Sequence, residues 1–135
     1  MISRRHLLEG SGGLLFLAAL QQASTGGGGR RPIFEHDLPD LSLKNWQVTA
    51  VEVAYAPGQS SASHRHPGIT IAYVLEGEIR SKVGDGPERV YKTGEMFFEN
   101  PGEIHAVSGN ASTTKPARLL ALLLAEKGAV LTAPA

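Results

Sequence analysis

The sequence predicts an all-β domain, and three observations predict it. Short runs rich in valine, isoleucine and aromatic residues recur between glycine and proline breaks. Residues 50–55 alternate in character, and beyond the first twenty residues no segment carries a long amphipathic helical pattern. The runs fall at 46–55, 70–75, 78–83, 89–91, 96–98, 105–108 and 118–124. In the first, Val51, Val53 and Tyr55 alternate with Ala50, Glu52 and Ala54, the period of a half-buried antiparallel strand. Glu76-Gly77-Glu78 and Gly84-Asp85-Gly86-Pro87 read as hairpin signals, and Asn100-Pro101-Gly102 as a further turn. Residues 119–124 are uniformly apolar. Their short length and their position after Pro116 favour a buried final strand over a buried helix.

Composition limits what such a domain can be. The chain has 135 residues, 41% hydrophobic and 19% charged, enough for one packed core. Thirteen basic and thirteen acidic residues give a formal charge of zero. No basic run is interleaved with aromatics, so nucleic acid is not an expected partner. The absence of cysteine excludes disulfides, thiolate ligands and a cysteine nucleophile, leaving nitrogen and oxygen donors for any chemistry.

The organisation expected is an export signal and glycine-rich linker over residues 1–29, then a single domain over 30–135. Arg4 and Arg5 lie in a basic leader, and residues 10–20 form an apolar stretch too short to span a bilayer comfortably. This resembles a twin-arginine export signal, which places the mature chain in the periplasm or otherwise outside the cytoplasm, with no stable membrane span. The alternative is an N-terminal arm. The run Gly26-Gly27-Gly28-Gly29 lacks the strand before and the helix after that a phosphate loop needs, and reads as a linker.

The residues that speak to chemistry are histidines. His64 and His66 stand two apart, so in an extended segment both rings face one side. His105 follows the Pro101-Gly102 turn and arrives from a distant strand. Three neutral imidazoles converging on one point make a site for a divalent metal ion.

These residues carry a family resemblance. Gly58, His64, His66 and Gly77 match in spacing a motif of glycine, five residues, His-X-His, a gap, glutamate, six residues and glycine. Gly94, Gly102 and His105 match a second motif, in which Asn100 takes the usual proline slot and Asn110 lies one place beyond the usual asparagine. On these two motifs residues 58–110 resemble the cupin superfamily, whose fold is an antiparallel double-stranded β-helix, or jelly-roll barrel. Thr70 occupies the position where many cupins place a carboxylate ligand. The resemblance therefore implies His64, His66 and His105 as protein ligands, with water or substrate completing the shell, or else a site weakened by the loss.

What the resemblance implies about function spans three classes. One is a small-molecule oxidoreductase of the dioxygenase type, for which iron suits the chemistry best and manganese, nickel, copper or zinc are further options. Another is a non-catalytic periplasmic protein that binds a small molecule, and the third a metal-assisted isomerase or lyase. A homodimer is the expected assembly. For proton transfer the candidates are Glu99, Glu103 and Tyr73. Glu99 and Glu103 flank the turn before His105, where acidic side chains belong in solvent unless one turns inward as a fourth ligand or a base. Alternation puts Ala72 and Val74 on the face of Thr70, and Ile71, Tyr73 and Leu75 on the other.

Overall fold

The computed structural model describes residues 29–135. The twin-arginine stretch, with Arg4 and Arg5, and its apolar continuation lie outside the described residues. Among the described residues there is no helix, and so none long and apolar enough to cross a membrane. The described residues form ten strands: β1 (Trp46–Tyr55), β2 (Ser60–Ser61), β3 (His64–Arg65), β4 (Ile69–Glu76), β5 (Glu78–Val83), β6 (Arg89–Lys92), β7 (Met96–Glu99), β8 (Ile104–Asn110), β9 (Ala117–Glu126) and β10 (Ala133–Pro134). All pairings are antiparallel. One sheet runs in the order β1-β9-β4-β7 and the other β10-β3-β8-β5-β6, with β2 also on β8. The architecture is the expected double-stranded β-helix.

The apolar run near the C-terminus shows how one sequence pattern serves two faces. Along β9 burial alternates residue by residue: Ala117, Leu119, Ala121, Leu123 and Ala125 are buried, while Leu120, Leu122 and Leu124 are half-buried. Strand β9 has a neighbour on each side, pairing with β1 along its whole length and with β4 from Arg118 to Leu124, where the register shifts between Val74 and Glu76. Both faces are apolar because the inner one meets the core and the outer one is only partly exposed. Leu119, with Ala117 and Ala121, joins Val74 and Phe97 from the same sheet and Ile79 from the opposite sheet in one buried cluster. That cluster is the layer between the sheets.

Two readings of local sequence need correction. Glu76-Gly77-Glu78 is not a hairpin, because β4 pairs with β7 and β9 whereas β5 pairs with β6 and β8. The segment is a corner that carries the chain from one sheet to the other. Gly77 holds a φ of 69° there, and a Cβ would collide with the carbonyl oxygen of Pro116, so the tight corner needs glycine on both counts. Gly84-Asp85-Gly86-Pro87 does close a hairpin, with Ser81 opposite Arg89. The second correction concerns His64 and His66, which do not lie on one strand. Strand β3 stops at Arg65, and His66 lies just past its end.

Candidate metal centre

The histidines are brought together by strand pairing and by two backbone ties. His64 on β3 is the register partner of His105 on β8, so their rings start from adjacent backbones and their centroids lie 5.0 Å apart. His66 is held at both ends. Its carbonyl accepts the N–H of Gly102, at 2.8 Å, and its Nδ1 donates to the carbonyl of Leu131, at 2.6 Å. The Pro101-Gly102 turn and the chain just before β10 thereby fix the His66 ring, whose centroid sits 5.0 Å from that of His64. One nitrogen from each of the three rings lies within 4.8 Å of the others.

Hydrogen bonding selects the nitrogen each ring offers. His64 Nδ1 donates to the Ala62 carbonyl at 2.8 Å, which leaves Nε2 with its lone pair free. The Leu131 carbonyl does the same for His66, again freeing Nε2. At His105 it is Nε2 that meets a partner, Ser81 Oγ at 2.8 Å, and Nδ1 is the unpartnered atom. Burial holds the pKa of His64 below its ordinary value of 6.5. The rings of His105 and His66 push the same way, against the opposing Ala62 hydrogen bond and the charge of Glu99. A neutral imidazole is the form that ligates metal.

Glu99 corrects the expectation of a solvated turn. It is the last residue of β7, only 3% exposed, and lies in register with Thr70 on β4. Its Oε1 is 3.3 Å from His105 Nδ1 and its Oε2 3.8 Å from His66 Nε2. Thr70 faces the same cavity and is 1% exposed. Glu103, by contrast, stays in the turn and accepts the backbone N–H of Asn100. Tyr73 is absent from the cavity lining, as the alternation from Thr70 requires, and cannot act there without rearrangement of β4.

Three buried side-chain polar atoms among the described residues have no hydrogen-bond partner: Thr70 Oγ1, Glu99 Oε2 and His105 Nδ1. All three belong to residues lining this one cavity. Buried polar groups are normally satisfied, so a cluster of orphans of donor-atom type marks a place built for something the chain itself does not supply. A divalent cation fits it, since imidazole nitrogens and a carboxylate oxygen are the donors such ions take. The cavity is about 180 Å³, smaller than the roughly 300–1,000 Å³ of pockets for drug-sized ligands. Its remaining wall is mostly apolar, from Val53, Ala72, Leu119, Ala121 and Leu123. Missed by the sequence reading are Ser81 and the segment at Leu131 and Thr132, which orient His105 and His66. No local motif distinguishes either one.

Comparison with known proteins bears on the fold and the family. The profile of the cupin domain matches residues 51–123. A relative, the cupin-domain-containing oxidoreductase fogC of Aspergillus ruber, is 27% identical over 86 residues, or 64% of this chain. The chain spans only 42% of that protein's length. Among solved structures, oxalate oxidase in complex with the substrate analogue glycolate gives a TM-score of 0.51 at 26% identity, over 56% of this chain and 40% of that one. A double-stranded β-helix protein from Klebsiella pneumoniae gives 0.53 at 28% identity, over 64% and 72% of the two chains. With more than half of its length matched by the family profile, and with the fold and the histidine geometry to go with it, the chain belongs to the cupin family.

Proposed function

We propose that this protein is a metal-dependent oxidoreductase of the dioxygenase type acting on a small molecule. The observation that carries the reading is the convergence of His64, His66 and His105, within 4.8 Å, on a cavity lined by the residues of three unpartnered buried side-chain atoms of metal-donor type. A redox-active divalent ion such as iron, when bound there, supplies coordination positions for an oxygen-bearing substrate and for dioxygen. The chain's own part is to hold and to exclude. The Ala62 and Leu131 carbonyls fix two ring orientations, Ser81 fixes the third, and the apolar wall keeps bulk water from the substrate. Support from relatives is of the same kind, since fogC is named an oxidoreductase and oxalate oxidase acts on a small oxygenated acid.

The test is gas uptake. Protein loaded with ferrous iron in an oxygen electrode, given a panel of small aromatic, diketone and hydroxy-acid compounds, is expected to consume dioxygen with at least one of them. Binding of a compound without uptake makes the protein a binder, and turnover that persists anaerobically makes it an isomerase or lyase. We also read the mature chain as exported and dimeric. The export reading is supported only by the sequence, through Arg4 and Arg5 and the apolar stretch at residues 10–20, and cell fractionation tests it. For the dimer, Ile71, Tyr73, Phe98, Leu120 and Leu122 leave the outer face of the β1-β9-β4-β7 sheet apolar and half-buried, and light scattering reads the assembly.

A further inference from the structure

We propose that Glu99 is the fourth protein ligand of the metal, delivered from β7 in place of the carboxylate that Thr70 lacks on β4. The proposal rests on the metal-binding reading above and adds a ligand, and with it a preference among ions. Thr70 and Glu99 are direct cross-strand partners. Such partners project side by side from the same face of a sheet, so a carboxylate moved from one to the other still reaches the same cavity.

The distances fit a shared ion better than a hydrogen bond. Donor atoms bound to one ion at about 2.1 Å lie about 3.0 Å apart when adjacent on an octahedron, about 3.4 Å apart on a tetrahedron and about 4.2 Å apart when opposite. The carboxylate oxygens of Glu99 stand 3.3 Å from His105 Nδ1 and 3.8 Å from His66 Nε2. Neither Glu99 Oε2 nor His105 Nδ1 has a hydrogen-bond partner, despite the short separation of the two side chains. A carboxylate 3% exposed, with no donor on one oxygen, is costly to keep in a wall of aliphatic side chains unless a cation answers it.

Charge gives the ligand its consequence. Three neutral imidazoles leave a divalent ion with its full charge uncompensated in a largely apolar cavity, and Glu99 halves it. An anionic oxygen donor also favours ions that accept hard ligands, such as Mn²⁺ and Fe²⁺, relative to a set of nitrogen donors alone.

The experiment is Mn²⁺ and Co²⁺ binding, measured by competition with a chromophoric chelator, for the wild type, Glu99→Gln and His64→Ala. Glutamine keeps the volume of Glu99 and removes its charge. Glu99→Gln is expected to weaken Mn²⁺ by more than the roughly 10–100-fold that loss of an outer-shell partner costs. It is also expected to alter the visible spectrum of bound Co²⁺, and a Thr70→Glu, Glu99→Gln double variant to regain most of the lost affinity. Unchanged Mn²⁺ affinity and an unchanged Co²⁺ spectrum in Glu99→Gln overturn the proposal and leave Glu99 as a base. Should the variants fail to fold, the infrared difference spectrum of the wild type on adding Mn²⁺ decides the matter, since a ligating carboxylate shifts its stretching bands and a spectator does not. A wild type that binds neither ion, as weakly as His64→Ala, is the separate failure of the metal reading itself.

Discussion

Replacing His64 and His105 together with alanine is expected to give a folded protein that retains no divalent ion, where the wild type carries close to one per chain. The two residues are cross-strand partners, and removing both deletes the β3–β8 side of the donor set while leaving His66 and Glu99. Loss of a mere outer-shell partner costs about 10–100-fold in affinity, so two lost ligands raise the dissociation constant by about 10²- to 10⁴-fold or more. Mass spectrometry of the untagged protein, after expression in medium supplied with several metals, reads the result directly. Circular dichroism and a thermal melt check that the sheets survive. His105 gives up its buried hydrogen bond to Ser81, so a modest drop in melting temperature accompanies the metal loss. A wild type without metal, even after reconstitution, means that the threonine at position 70 marks a lapsed site. The function would then be that of a metal-free binding protein.

Most of the fold was legible in the sequence because β-structure writes itself locally. The runs at 46–55 and 78–83 coincide with β1 and β5, and the apolar stretch after Pro116 is the strand its length suggested. Pairing was less legible. A glycine between two strand-like runs shows that the chain turns, yet whether the flanking strands pair with one another depends on distant partners. At Gly77 those partners, β7 and β9 on one side and β6 and β8 on the other, pull the strands into different sheets. Strands of two residues, such as β3 and β10, carry too little pattern to be read at all.

The site divides in the same way. His64, His66 and His105 were found from spacing, because a metal site needs particular side chains at particular offsets. Glu99 is a candidate base or ligand in the sequence, but the general rule that acidic residues in turns are solvated points it outward, although local alternation contains a contrary signal. Phe97 and Glu99 are two apart and both buried, whereas Met96 and Phe98 between them are half-buried. Extending the strand by one residue past Phe98 would have placed the carboxylate on the interior face. The orienting carbonyl of Leu131, 65 residues from His66, had no such signal, since any residue supplies a carbonyl.

Asn110→Ala is expected to destabilise the domain by about 2–3 kcal/mol, more than any surface change, through backbone groups left without partners. Asn110 closes β8 and is 4% exposed. Its side-chain amide reaches the carbonyls of Lys115 at 2.7 Å, Ala56 at 3.2 Å and Tyr55 at 3.4 Å, and its Oδ1 accepts the N–H of Ser112 at 2.8 Å. An amide has only two hydrogens, so the Lys115 and Ala56 bonds take precedence and the Tyr55 contact is the weakest. One side chain thus ties the end of β1 to the loop that leads into β9. Asn110→Asp separates this account from simple loss of packing. Aspartate keeps an oxygen for Ser112 but turns a second one toward carbonyl oxygens, so it should be at least as damaging as alanine despite its matching size. Urea unfolding of the three proteins measures both effects. An aspartate variant as stable as the wild type would show that the donated bonds contribute little. The damage should stay local to that end of the barrel, because Asn110 is no part of the histidine cluster. Below its unfolding range Asn110→Ala should therefore bind Mn²⁺ as the wild type does, whereas Glu99→Gln should unfold near the wild-type midpoint without metal and bind the ion poorly.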